Sequence, residues 1–353
     1  MCHNSLMKKP VIGITLGDPA GIGPEIIIKA LSDKETRKSA WIFVFGGEEI
    51  LIKTQFQLQK QYQKIPVKSF DNFSDMSREF REGRIQKMIP VLKNKKISDL
   101  SVNHKIEKYS PESGQVAFES IKDAINSATK KEIFAVVTTP INKEGLKAAG
   151  IPFVGHTEIF GGLTNTENPL TMFQTHNLRV FFLSRHISLK KACDYVTEEN
   201  IFCYLKQMDK ALNQLNLKNP FIAVAGLNPH CGEHGLFGNE EREIEKAIKK
   251  ARKIGINVEG PIGADSVFNQ AKNGKYTAVL SLYHDQGHIA CKTLDFDRTV
   301  SLTLGLPFLR TSVDHGTAYD IAGTGKAQCI SLKEGIKKAV EYFQQDSKKE
   351  AES

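Results

Sequence analysis

The sequence predicts an α/β protein of two domains. Short apolar runs rich in Val, Ile and Phe recur along the chain, bounded by polar or glycine-rich residues, with helical patterns between them. Alternation of this kind builds parallel strands joined by crossover helices. At 353 residues the chain also exceeds what one hydrophobic core usually serves, so it is expected to divide.

Val11-Ile-Gly-Ile-Thr15 reads as the first strand and runs into Leu16-Gly-Asp-Pro-Ala-Gly-Ile-Gly-Pro-Glu25. Pro24 suits the first turn of a following helix, and Glu25 complements the positive end of its dipole. A glycine-rich strand-to-helix turn can hold phosphate or serve as a tight structural turn, and spacing alone leaves both open. It is neither the dinucleotide G-x-G-x-x-G fingerprint nor a Walker loop. Trp41-Ile-Phe-Val-Phe45 is a second strand, ending in Gly46-Gly47. Residues 52 to 112 are rich in Lys, Gln and Ser with weak periodicity and read as peripheral structure. After Ser113, Phe118, Ile121 and Ile125 fall on one helical face. Ile133–Thr138 is the next strand, opening into Thr139-Pro-Ile-Asn-Lys143, a short helix from Glu144 and the loop Gly155-His-Thr-Glu158.

Thr171–Gln174 and Leu178–Leu183 pair as a hairpin, and His186 follows the second strand. Phe221–Ala225 is a strand that ends in Gly226-Leu-Asn-Pro-His230. Gly260–Phe268 places Asp265 before an apolar segment, where it either caps a helix or bonds a ligand. Thr277–Tyr283 is a buried strand that presents His284 and Asp285 at its end. Lys292, Arg310 and the loop from Asp314 to Lys326 come next, then an amphipathic helix from Ser331 to Tyr342 and a charged tail that is expected to fray.

Composition narrows the class. Apolar residues at 40% and charged residues at 25% are ordinary globular values. The net charge of +8 includes lysine clusters at 93–96 and 249–252 that lack interleaved aromatics, which argues for a solvated face and against nucleic acid. Small anionic substrates suit the balance better. Six cysteines, at 2, 193, 203, 231, 291 and 329, show no paired CxxC spacing and no secretory pattern precedes them, so reduced thiols in a cytoplasm are expected. No apolar run reaches membrane-spanning length, so no membrane partner is expected.

The stretch Tyr283–Ala327 gathers nearly every chemically versatile side-chain type beside glycines. Strand ends of an α/β sheet are where ligands bind. His186, His230 and His284 each follow a separate predicted strand, so a sheet edge could bring three imidazoles together around a metal ion with an open position. The spacing matches no local metal motif, and His3, His104, His176, His234 or His288 could replace any member.

Taken together, GITLGDPAGIGPEI from residue 13, GHTE at 155–158, GLNPH at 226–230, YHDQG at 283–287 and LGLPFLRTSVDHGTA at 304–318 resemble the 4-hydroxythreonine-4-phosphate dehydrogenase family of pyridoxal phosphate synthesis. The resemblance implies His186, His230 and His284 as metal ligands, and His156, Thr157, Lys292 and Arg310 as substrate contacts. Ser301 stands where family members carry asparagine, a shorter reach for a hydrogen bond. Lys292 or Asp285 would carry the proton. The loop HGTAYDIAGTGKA is also similar to the cofactor loop of isocitrate and isopropylmalate dehydrogenases, which implies His315, Gly316, Thr317, Ala318 and Asp320 for the cofactor. Their fold, two α/β/α domains around a cleft, follows, with residues 1–140 plus 305–353 as the terminal domain and 141–304 as the central one with the dimer interface.

The implied activity is NAD-dependent oxidation of 4-phosphohydroxy-L-threonine, with NADP possible and a divalent zinc, magnesium, cobalt or manganese ion, in a homodimer with shared active sites. Two competing classes remain open: a dehydrogenase of erythronate or threonate 4-phosphate, and a non-redox acyltransferase similar to phosphate acetyltransferase.

Overall fold

The computed structural model describes residues 9–58, 65–103 and 107–352. Cys2, His3 and His104 lie outside them. In chain order the amino-terminal part runs β1 (Val11–Thr15), α1 (Gly23–Ser32), α2 (Lys34–Ser39), β2 (Trp41–Gly46), α3 (Glu48–Leu58), β3 (Val67–Phe70), α4 (Phe73–Arg81), β4 (Ile89–Lys93), α5 (Lys95–Asn103), α6 (Pro111–Thr129), β5 (Ala135–Thr138), α7 (Lys143–Ala148) and α8 (His156–Leu163). The middle part continues with β6 (Leu170–Thr175), β7 (Leu178–Phe182), α9 (Leu189–Asp194), α10 (Glu198–Gln214), β8 (Ile222–Ala225), α11 (Glu241–Lys253), β9 (Val258–Ile262), α12 (Ala264–Lys272), β10 (Ala278–Ser281), α13 (His284–Leu294) and β11 (Val300–Leu304). The chain closes with β12 (Leu309–Val313) and α14 (Ile330–Glu352).

Two compact units result: a terminal one of Met1–Pro169 and Leu306–Phe343, and a central one of Leu170–Gly305 and Gln344–Ser353. In the terminal unit the strands lie in the order β3-β4-β2-β1-β5-β12, and every pair is parallel. Parallel strands covered on both faces read as continuous apolar runs. β1, β2 and β5 accordingly carry almost no exposed residue. The described residues between 52 and 112 extend this sheet at its edge through β3 and β4, a peripheral position as expected.

The first boundary between units falls at residue 169, where the sequence suggests 140, and the segment from Gln344 belongs to the central unit, where the sequence places all of 305–353 in the terminal domain. Leu146, Ile159 and Phe160 of α7 and α8 join Ile121, Ile125 and Val136 in one core cluster. That packing carries residues 141–169, and with them His156 and Thr157, into the terminal unit.

The central unit orders its strands β11-β6-β7-β10-β8-β9. β6 and β7 form the expected hairpin, antiparallel with Met172 opposite Phe181, while β7, β10, β8 and β9 run parallel. The tail that was expected to fray continues α14 to Glu352. Lys and Glu at helical spacing sustain a helix, and Asp346 accepts a hydrogen bond from Asn216 Nδ2 at 2.8 Å.

Gly287 sets how closely α13 lies on the central sheet. A Cβ there would stand 2.5 Å from the Phe182 ring and 2.6 Å from Ser281 Oγ, which is itself held by its bond to the Phe181 carbonyl at 2.6 Å. Gly287→Ala gains helix propensity but overpacks this contact, and we expect a net loss of about 1–3 kcal/mol in urea unfolding. An unchanged urea midpoint would show that α13 yields there at no cost.

Candidate active site

In the terminal unit strand pairing sets the position of Arg310, one of the residues expected to hold substrate. Arg310 on β12 lies opposite Val136 of β5, two positions from Thr138. Its Nη2 donates to Thr138 Oγ1 at 2.8 Å, and its guanidinium lies 5.0 Å from the Phe160 ring centroid. Phe160 comes from α8, the helix that opens with His156 and Thr157. Arg310 is only 4% exposed. Burial pulls its pKa down to about 9, against a smaller opposing effect of Glu158, so it stays a cation at neutral pH. A desolvated guanidinium of this kind suits a phosphate or carboxylate, which its fork can bind bidentately.

His156, whose ring centroid lies 6.5 Å from that of Phe160, is partly exposed as a whole but has Nε2 buried and without a hydrogen-bond partner. Burial first, and then the charge of Arg310, hold its pKa well below the usual 6.5. It is therefore neutral in the folded protein, while the unfolded chain binds a proton below that value. Stability is lost as pH falls below about 6.5. One pH unit corresponds to about 1.4 kcal/mol, so between pH 7.5 and 5.5 the wild type should lose about that much more unfolding free energy than His156→Asn. Equal losses in both proteins would show that His156 takes up its proton in the fold.

The glycine-rich turn after β1 and the loop after β12 are packed against each other. The Ile22 amide donates to the Thr317 carbonyl at 2.9 Å, and a Cβ on Gly21 would come within 2.9 Å of Thr317. Tyr319 donates to Asp18 Oδ2 at 2.5 Å, and Asp18 Oδ1 accepts the Ala20 amide at 2.9 Å. Burial pushes both the Asp18 carboxyl and the Tyr319 hydroxyl up in pKa. At the far end of the loop, Glu25 accepts the amides of Gly325 and Ala327 at 3.3 and 3.0 Å, and Lys29 Nζ donates to their carbonyls at 2.7 and 2.6 Å. Glu25 and Lys29 pair at 2.8 Å with almost no exposure. Glu25 thus does more than complement a helix dipole: it fixes the loop that carries His315, Gly316, Thr317, Ala318 and Asp320. Beside the turn and Ala322–Gly323 lies a cavity of about 640 Å³, also lined by Glu49, Lys53 and Lys108.

In the central unit His284 opens α13 at the end of β10, as expected. Gln286 ties this end to that of β8, accepting the Leu282 amide at 2.8 Å and donating to the Gly226 carbonyl at 2.9 Å. The His186 and His284 rings are 6.3 Å apart, and His288 stacks on His284 at 3.7 Å. His230 does not complete a cluster: among the described residues no three His, Cys, Asp or Glu side chains could hold a metal ion. His230 lies in a run of positive φ from His230 to His234 and keeps its Nδ1 3.1 Å from Glu233 Oε2. The buried carboxylate of Glu241 anchors that loop through the amides of Leu227 and Asn228 at 3.0 and 2.6 Å. Asp285 takes His284 Nδ1 at 2.6 Å, Lys292 lies 5.2 Å from the Phe296 ring, and Ser301 sits on β11 opposite Phe173. Asp265 stands in the first turn of α12, whose N-cap is Gly263, so it is not the cap.

Thr138 and Glu49 were not singled out from sequence, and Glu25 was read only as a partner of the helix dipole. A threonine inside an apolar strand and acids in a first helical turn all have ordinary structural readings.

The family model described as pyridoxal phosphate biosynthetic protein PdxA matches residues 38–339. A protein of Clostridium botulinum (strain Langeland), provisionally named D-threonate 4-phosphate dehydrogenase, is 48% identical over 336 residues, covering 95% of this chain and 97% of its own. One of the same name from Halalkalibacterium halodurans is 50% identical over 336 residues with the same coverage. Among solved structures, 4-hydroxythreonine-4-phosphate dehydrogenase of Klebsiella pneumoniae is 36% identical with a TM-score of 0.81, covering 94% of this chain and 99% of that one. A terephthalate 1,2-cis-dihydrodiol dehydrogenase of Burkholderia xenovorans, at 23% identity and a TM-score of 0.63 over 94% and 97% of the two chains, shares the fold.

Proposed function

Because the chain belongs to the pyridoxal phosphate biosynthetic protein PdxA family, we propose that it oxidises the C3 hydroxyl of a four-carbon carboxylic acid phosphorylated at C4, with NAD as hydride acceptor. The observation that carries this reading is the buried Arg310 with His156 beside it, a site for an anionic group in a protein whose relatives are named for 4-phosphorylated acids. Thr138, which accepts from one guanidinium nitrogen, aligns the fork. In the central unit Lys292 and Asp285 are the groups proposed to take the hydroxyl proton, with Ser301 hydrogen-bonding the acid.

NAD fits the residues of the terminal unit. The glycine turn, the loop of His315, Gly316, Thr317, Ala318 and Asp320, and the adjoining cavity with its two lysines offer room for a nucleotide. When bound, NAD supplies the two-electron acceptor. Within one chain the three expected metal ligands do not gather, His186 and His284 lying 6.3 Å apart with His230 outside any three-ligand group among the described residues, so a divalent metal ion does not fit them as they stand. Activity with and without chelator tests whether zinc, magnesium, cobalt or manganese takes part. Large apolar side chains exposed on the central unit, among them Leu189, Leu236, Ile289 and Phe296, support a homodimer, which light scattering would test. No helix among the described residues is long and apolar enough to cross a membrane.

The first substrate reading is 4-phosphohydroxy-L-threonine, oxidised to 2-amino-3-oxo-4-phosphooxybutanoate, which decarboxylates to 3-amino-2-oxopropyl phosphate in pyridoxal 5′-phosphate biosynthesis. A second, D-threonate 4-phosphate, carries a hydroxyl at C2 in place of the amine. The names of relatives at 48–50% identity support it, as those of the solved structures at 36–37% identity support the first. Both substrates share the phosphate and the C3 alcohol, so kcat/KM on each separates the readings. Turnover of neither would sink the proposal.

A further inference from the structure

The cavity of the terminal unit contains a group that the chemistry above does not use. It measures about 640 Å³, and its lining includes Glu49, Lys53, Gln57 and Lys108 together with Pro19–Gly21 and Ala322–Gly323. One carboxylate oxygen of Glu49, Oε2, is buried and has no hydrogen-bond partner. A buried acceptor left without a donor is costly, so such a group in a native protein calls for an explanation. Glu48 and Glu49 both stand in the first turn of α3, where an acid complements the helix dipole. That role needs only the charge. It does not account for an oxygen held away from water in the wall of a cavity.

The lining also says which part of a ligand belongs there. Neither His156 nor Arg310 lines the cavity, so the acid is not held in it, and hydride transfer needs the acid beside the nicotinamide. A dinucleotide would therefore place its unreactive end there. Lys53 and Lys108 suit its phosphates. The donors that this end offers to a carboxylate are the hydroxyls of the adenosine ribose. An acid that accepts from a ribose 2′-hydroxyl is a known way to recognise NAD, and the same charge repels a 2′-phosphate.

We infer that this cavity receives the adenosine end of the dinucleotide and that Glu49 accepts from its ribose hydroxyls, selecting NAD over NADP. The inference rests on the dehydrogenase reading. It extends that reading to a residue that touches neither the substrate nor the reacting atoms.

The test is binding to the full chain, read by NADH and NADPH fluorescence and by competition with ADP-ribose and its 2′-phosphorylated form. The wild type should bind NADH at least about tenfold more tightly than NADPH, and ADP-ribose should outcompete its 2′-phosphate by a similar factor. In Glu49→Gln, which keeps shape and removes charge, the NADH preference should shrink to about threefold or less. Lys53→Ala should weaken both cofactors alike and leave the ratio standing. NADH binding with a ratio that Glu49→Gln does not change would overturn the inference alone. Failure of ADP-ribose to displace bound NADH would do the same, and that arm uses only the wild type. Absence of any NADH binding would remove the dehydrogenase reading and the inference together.

Discussion

Replacing Arg310 by methionine is expected to raise KM for the phosphorylated acid by about 100- to 1,000-fold, the equivalent of about 3–4 kcal/mol. The guanidinium is desolvated between β5, β12 and the Phe160 ring, with its pKa pulled down to about 9. A charge in that position costs stability in the free protein and recovers the cost when an anion binds. Methionine has similar volume and no charge, so the thermal midpoint should hold or rise while substrate binding is lost. Arg310→Lys should restore only part of the affinity, because an ammonium lacks the fork and the stacking on Phe160. Loss of stability in step with activity would instead make Arg310 a structural residue.

The second large effect concerns Glu25. Glu25→Ala removes the partner of Lys29, whose side chain is 5% exposed, and leaves the Gly325 and Ala327 amides without their acceptor. Breaking a buried pair from one side costs about 3–5 kcal/mol, because the remaining charge stays buried. Urea unfolding should show that loss, and NADH affinity should fall with it, since the loop from His315 to Lys326 loses its far anchor. The double variant Glu25→Leu with Lys29→Met should recover much of the stability, because no buried charge remains. A Glu25→Ala protein as stable as wild type would mean that water reaches Lys29.

Seven of the twelve strands among the described residues were legible because a parallel sheet leaves apolar runs of four to six residues, and β1, β2, β8 and β10 match such runs closely. By contrast β3, β4, β9, β11 and β12 carry more polar residues or sit in loop-like sequence and were not legible as strands. The hairpin of β6 and β7 was legible from two runs separated by a short polar turn. What periodicity cannot express is which core a helix joins. α7 and α8 read equally well in either domain, and the core formed with α6 placed them in the terminal unit, moving the boundary from 140 to 169. The neighbourhood of Arg310 was illegible for a similar reason. Thr138, Phe160 and Arg310 are far apart in sequence and meet through the pairing of β5 with β12. The three histidines were legible in their placement but do not group within one chain. Each lies at or just beyond the end of a strand, yet the left-handed run at His230 to His234 turns that loop to Glu233, and no three-ligand cluster forms among the described residues.

The measurement closest to the central claim is initial NADH formation from 4-phosphohydroxy-L-threonine and D-threonate 4-phosphate, each run beside its unphosphorylated counterpart. NADH is expected from at least one phosphorylated acid, with the matching unphosphorylated acid slower by about 100-fold or more in kcat/KM. Equal rates with and without the phosphate, or no NADH from any of the four, would contradict the claim.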